Sequence, residues 1–321
     1  MTFKEELKNK IDEKRNIRES TLNAYIFNLN KLHKLMRNGQ EINSLDFLKK
    51  KSKVDDELRD KKKSTKKTYY ASIIVGLMAM DYSDKLIKEY RDEMEQLAKD
   101  FNNEMEKQRK SDQQNKNWAS LAELKKVMRK YRNELNEKGI FQKNPDDLSN
   151  KEFDLLQKYV VASLYIIDDA NPPPRNDFIM DIISNEDYNK LSEEDKKKKN
   201  YLIVKSRNKK VFSLGEYKTS GKYGTKLIDV GKKLNSVLNI WLKFNKTKHL
   251  LLNSKKEPMT PNGLTKYLNK VFEPTGKKNI SSSMIRHIYI SEKFPPILDE
   301  KKETADKMGH SVSQQELYSK K

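Results

Sequence analysis

The sequence predicts a mainly α-helical chain with a small antiparallel β-sheet, divided into an all-helical N-terminal domain over residues 1–110 and an α+β domain over 118–321. Three observations predict it. Apolar residues recur at three- and four-residue spacing through the first 110 positions, as helices with one buried face require. Residues 111–117 include no apolar side chain and read as an interdomain linker. Three short strand-like runs, Tyr201–Val204, Val211–Leu214 and Lys226–Val230, surround one glycine-containing turn and make a small meander.

In the first domain, Thr2–Asn16 predicts a short charged helix. The next carries Leu22, Tyr25, Ile26, Leu29, Leu32 and Met36 on one stripe, with Ser20 or Thr21 as cap and Gly39 as its end. Ser44 caps a short helix bearing Leu45 and Leu48. Ser64 leads into a fourth, with Tyr70, Ile73, Ile74 and Leu77 on one face, and Ser83 opens a fifth that runs to about Lys110. Arg15–Thr21 and Lys61–Thr68 set basic and hydroxyl residues at helix starts, which suits phosphate contact, although plain capping explains each residue singly.

In the second domain, the capping box Ser120–Glu123 starts a helix with Leu121, Leu124, Val127, Met128 and Tyr131. The apolar helix Phe153–Ile167 predicts the core and stops before Pro172-Pro173-Pro174, which cannot donate backbone hydrogen bonds. The meander follows, then a structural helix with Leu234, Leu238, Trp241 and Leu242. Another helix is capped by Thr260 and Pro261, and one capped within Ser281–Ser283 bears Arg286. A loop around Pro295-Pro296 precedes the last helix, ended by Gly309.

Sixty-seven Lys and Arg against 47 Asp and Glu leave a net charge of +20, more than solubility needs, so the expected partner is a polyanion, with double-stranded DNA the natural candidate. A lysine-rich proteome accounts for many exposed lysines but not for the excess over acid. There is no cysteine, hence no disulfide framework and no thiolate zinc site. The four histidines, His33, His249, His287 and His310, show no metal-ligand spacing. Neither a metal nor a cofactor is expected. No signal-length apolar segment and no run of 18 apolar residues occurs, so the expectation is a soluble intracellular protein located with its DNA, with no membrane partner.

The chemistry concentrates in two places. Arg175 follows the prolines on a stiffened turn after a buried helix, with Asp177 near enough to orient it; a structural ion pair is the ordinary alternative. Near the C-terminus, Arg286, His310 and Tyr318 stand in an order that suits attack on a phosphodiester. Fixed guanidinium and imidazole donors can stabilise the non-bridging oxygens as they gather charge, and a tyrosine hydroxyl can be the nucleophile. Singly, each has an ordinary reading as solvated charge or packing. Between the two places, the turn Glu216–Gly224 offers Lys218, with Lys222 and Lys226 as rivals, any of which can reach into a DNA groove.

The segment from Ser283-Met-Ile-Arg286-His287-Ile-Tyr289 to Met308-Gly-His310-Ser311 and Tyr318 resembles the C-terminal boxes of the tyrosine recombinase (phage-type integrase) family, including those of DNA viruses and mobile elements. In that family an Arg-bearing helix is followed by a Gly-His turn and, about nine residues on, by the nucleophile; here His310 precedes Tyr318 by eight. Arg175 matches the family's first catalytic arginine, with Asp177 one position nearer than the usual acidic residue, and Lys218 resembles its hairpin lysine. The helical domain resembles, more loosely, the family's core-binding domain, a clamp on DNA.

The resemblance implies a site-specific recombinase or integrase. Tyr318 would form a 3′-phosphotyrosyl link, Arg175, Arg286 and His310 would hold the non-bridging oxygens, and Lys218 would protonate the leaving 5′-oxygen. It also implies self-association, as a tetramer, on DNA. Two departures stand out. Ser283 occupies the position where the family carries His or Lys, and serine cannot carry a proton near neutral pH; it could only support the site, with His287 or water assisting. His287, adjacent to Arg286, is expected to be structural. Only three residues follow Tyr318 in this sequence, so interlocking of protomers is expected to use another element or to be weak. A type IB topoisomerase and a catalytically inactive DNA-binding protein of the same fold are the alternatives.

Overall fold

The computed structural model describes residues 2–15, 17–106, 109–167, 171–309 and 312, and the chain folds as two compact units, Met1–Arg109 and Lys110–Lys321.

The first unit is helical throughout its described residues. Helix α1 (Phe3–Lys14) opens on a capping box between Thr2 and Glu5. Helix α2 (Glu19–Met36) starts ahead of Ser20 with no side-chain cap, so neither Ser20 nor Thr21 has the role expected of it. Its stripe buries Leu22, Ile26, Leu29 and Leu32, and Gly39, at φ 86°, ends it in a left-handed turn. After a 3₁₀ turn at Asp46–Lys49, α3 (Lys51–Leu58) is an element that apolar spacing did not announce. Helix α4 (Lys63–Ala79) is buried nearly all round from Tyr69 onward and lies so close to α2 that a Cβ on Gly76 would stand 2.9 Å from Leu29 Cδ1. Helix α5 (Asp84–Glu106) closes the core with Ile87, Tyr90 and Leu97, and the Tyr90 hydroxyl donates to the Leu48 carbonyl at 2.7 Å. The basic start of α4 is partly occupied, because Lys63 pairs with Glu104 at 2.9 Å and lies 3.8 Å from Asp100.

In the second unit, the polar stretch expected as a linker forms a short helix, α6 (Asp112–Asn117), capped by Ser111 and Gln114. Capping boxes at Ser120 and Ser149 start α7 (Leu121–Glu137) and α8 (Asn150–Ile166). From Leu155 to Ile166, α8 is buried apart from Lys158, which places it at the centre of the unit.

The sheet has four strands in the order β1-β2-β3-β4: β1 (Asp181–Ser184), β2 (Asn200–Ser206), β3 (Lys209–Leu214) and β4 (Lys226–Asp229). Strands β2, β3 and β4 form the expected antiparallel meander, but β1 pairs with β2 in parallel, so the sheet is mixed rather than antiparallel. Parallel neighbours need a crossover of about a dozen residues or more. Here α9 (Asn185–Lys190) and α10 (Glu193–Lys198) supply it. Alternation along the strands sends Leu202, Phe212 and Leu214 into the main core, while Tyr201, Ile203 and Val211 pack with Tyr188 of α9 on the other face.

A short helical turn, α11 (Ser220–Tyr223), interrupts the connection from β3 to β4. The remaining helices are α12 (Lys232–Phe244), α13 (Pro261–Phe272), α14 (Ser282–Lys293) and α15 (Pro295–Lys307). The prolines expected in a loop sit in the first turn of α15, where their missing amides cost nothing. Trp241 is fully buried with its indole N–H on the Leu250 carbonyl at 2.8 Å. Among the described residues no helix is long and apolar enough to cross a membrane.

Candidate functional site

The site grows from the turn after α8. Asn171 is buried and uses both ends of its amide, donating to the Asp229 carbonyl at 2.9 Å and accepting the Gly231 amide at 2.7 Å, which pins the chain entering the prolines to the end of β4. Past the prolines, the Arg175 carbonyl accepts the buried Tyr165 hydroxyl at 2.7 Å and the Arg175 amide donates to Asp177 Oδ2 at 3.2 Å. The backbone of Arg175 is thus held from two sides while its side chain is exposed. The rigid turn expected from the sequence is present, and its rigidity comes from hydrogen bonds as much as from the prolines.

Asn176, between the arginine and the aspartate, does the long-range work. Its amide nitrogen donates to the Pro261 carbonyl and to Thr265 Oγ1, both at 3.0 Å, and its oxygen accepts the Ser282 hydroxyl at 2.8 Å. Pro261 opens α13 and Thr265 lies one turn further along it; Ser282 opens α14, the helix that bears Arg286 one turn later. One side chain therefore ties the Arg175 turn to both helices.

The charges of Arg175 and Arg286 both bear on the Asp177 carboxyl. Burial pushes the Asp177 carboxyl above its ordinary range, and the Arg175 amide and the charges of Arg175 and Arg286 oppose that shift without cancelling it. Among the described residues, neither guanidinium forms a hydrogen bond or an ion pair with a carboxylate; the bond to Asp177 comes from the Arg175 backbone amide. Two cations share one half-buried anion, which leaves a net positive site with free donors.

The hairpin lysine is linked to the same turn through Asn200. This buried residue donates to the Asp177 carbonyl at 3.1 Å and the Glu216 carbonyl at 2.9 Å, and accepts the Glu216 amide at 2.9 Å. Gly215 seals the base of the turn: a Cβ there would stand 1.9 Å from the Lys196 carbonyl oxygen. Lys218, two residues beyond Glu216, is exposed and has no ion pair among the described residues.

Ser283 is exposed on the first turn of α14, and Arg286 is half-buried. His287 is exposed, not packed as expected of a structural residue, because the helix turns position 287 outward while Met284, Ile285 and Ile288 face the core. Tyr289 is buried, which disfavours it as a nucleophile, and its hydroxyl accepts the Lys293 ammonium at 2.7 Å. His310 and Tyr318 lie outside the described residues. The sequence reading missed Asn171, Asn176, Asn200, Tyr165 and Ser282. Only Asn176 carried a signal, its place between two candidate residues.

No protein-family model and no curated protein matches the sequence. Among solved structures, the crystal structure of XerA recombinase is similar to this chain at 10% identity and a TM-score of 0.32, covering 89% of this chain and 83% of that one. A likeness that loose adds no argument to the geometry.

Proposed function

We infer that the protein cleaves and rejoins DNA strands through a 3′-phosphotyrosyl intermediate, as a site-specific recombinase or integrase. The observation that carries this is that the charges of Arg175 and Arg286 both bear on one carboxyl, Asp177, while neither guanidinium is hydrogen-bonded or ion-paired among the described residues. A phosphate arriving there finds two sets of charge-assisted donors on a backbone already fixed by Asn176 and Tyr165.

The roles of His310 and Tyr318 rest on their order in the sequence. Tyr318 Oη attacks phosphorus as the bond to O5′ breaks; the electron pair leaves on O5′, which takes a proton from Lys218, and the phenol proton passes to water. The non-bridging oxygens lie on Arg175, Arg286 and His310. Attack by another strand's 5′-hydroxyl reverses these steps, so no high-energy cofactor is consumed. The partner is double-stranded DNA, bound by a chain of net charge +20, and strand exchange between sites requires self-association on DNA, as a tetramer.

An inactive DNA-binding protein is the second reading, favoured by Ser283, which is exposed on α14 and cannot carry a proton. A suicide substrate that traps covalent protein separates the two. Wild type should form the adduct and Tyr318→Phe should not, with DNA affinity retained. An adduct formed by Tyr318→Phe would move the nucleophile elsewhere, and none with wild type would leave only DNA binding. Relaxation of supercoiled plasmid lacking a paired site, without recombination when one is present, would mark a topoisomerase.

A further inference from the structure

The turn that carries Lys218 also presents an aromatic ring. Tyr223, the last residue of α11, is 56% exposed, although a tyrosine gains by covering its ring. Two ammonium groups stand near that ring: Lys222 Nζ is 5.2 Å and Lys226 Nζ 5.1 Å from its centroid. Lys226 Nζ is also 5.2 Å from the ring centre of Tyr217, a buried residue whose hydroxyl donates to the Gly224 carbonyl at 2.8 Å. Gly224 lies at φ 67°, a conformation that a side chain would strain. The turn is therefore pinned from beneath, and Tyr223 is presented on a fixed frame.

Lys218, Lys222 and Lys226 form no ion pair with a carboxylate among the described residues. Cations without counter-charge around an exposed ring suit a nucleotide, whose phosphates take the ammonium groups while its base stacks on the ring. Lysine stems are flexible, so the ammonium groups can move from ring to phosphate as a base arrives. In an intact duplex each base is already stacked on its neighbours, which leaves the ring a partner only where a base is unpaired or extruded.

The geometry points to Tyr223 as a stacking platform for one unpaired base of DNA, with Lys222 and Lys226 on the flanking phosphates. This rests on the DNA reading above and adds to it a preference for locally unpaired substrate. Substitution at Tyr223 removes an exposed ring and leaves the core intact.

The test uses the full chain and two duplexes of one sequence, one with a single unpaired 2-aminopurine and one fully paired. Wild type should quench 2-aminopurine fluorescence in the first. Tyr223→Ala should lose the quenching and bind that probe roughly 5-fold or more weakly, the lower end of what one base–aromatic stack contributes. It should bind the paired duplex as wild type does, and Tyr223→Trp should retain both properties. Equal weakening on both duplexes, or quenching retained by Tyr223→Ala, overturns the stacking role. Salt-sensitive wild-type binding with no effect of Tyr223→Ala overturns the stacking role alone, whereas no wild-type binding to either duplex overturns the DNA reading with it.

Discussion

The Ser282 hydroxyl donates to the side-chain oxygen of Asn176 at 2.8 Å, joining positions 106 residues apart in the chain. That bond fixes the first turn of the Arg286 helix against the turn that displays Arg175. Asn176→Ala removes it together with two bonds to α13. The expected result is a loss of about 1–3 kcal/mol in unfolding free energy, the cost of leaving such partners unsatisfied. Cleavage should fall more than DNA affinity does. Urea denaturation and single-turnover cleavage would check both.

Arg175→Ala and Arg286→Ala should each cost far more in cleavage than in binding, because their proposed target is charge that grows in the transition state. About 2.7–4 kcal/mol, or roughly 100- to 1000-fold in rate, is the scale for one such donor. Equal losses in binding and cleavage would identify the two residues as ordinary phosphate clamps.

Asp177 makes a pH prediction. Its carboxyl lies above the ordinary 3.8 because burial outweighs the two guanidinium charges. Between the ordinary and the raised value the folded protein binds more protons than the unfolded chain, so stability falls as pH rises through that window. The contribution is fully present below the ordinary value and lost above the raised one. Asp177→Asn lacks this slope, so its stability relative to wild type should rise as pH increases from below 3.8 through the raised value and then stay level. Paired urea titrations across that range would show it; a constant difference would mean that the carboxylate is not held in its unfavourable charged form.

Lys218 can be tested by the leaving group it is proposed to serve. Replacing the bridging 5′-oxygen with sulfur gives a thiolate that departs without a proton. Lys218→Ala should be slow on ordinary DNA and largely rescued on the sulfur-bridged substrate, whereas Arg175→Ala should not be. Rescue confined to Lys222→Ala or Lys226→Ala would move the general acid along the turn, and no rescue for any of the three would end the assignment of that role to this turn.

Much of the fold was legible where a local rule sufficed. The three- and four-residue spacing in α2 and α8 and the capping box at Ser120 lead directly to observed elements. Strand β1 was not legible: four residues carry too little periodicity, and its parallel partner lies beyond a charged crossover that resembles exposed loop. The polar stretch before Trp118 is helical because Ser111 and Gln114 cap it, a signal outweighed by the absence of apolar residues. In the site, Arg175 and Asp177 stand two residues apart in the sequence and could be read together. Asn200 could not, since a buried asparagine at a strand start looks like any polar residue until its partners at Asp177 and Glu216 are known.

The side chains that wire the site together, Asn171, Asn176 and Asn200, are all uncharged amides, each donating and accepting at once. An amide holds the same protonation state from mild acid to mild base. These three amides therefore add no titrating charge beside the arginines, and their grip does not change as protons come and go. A pH–rate profile of the reaction can then be assigned to Asp177 and to the groups that exchange protons with DNA, without a further limb from the three amides.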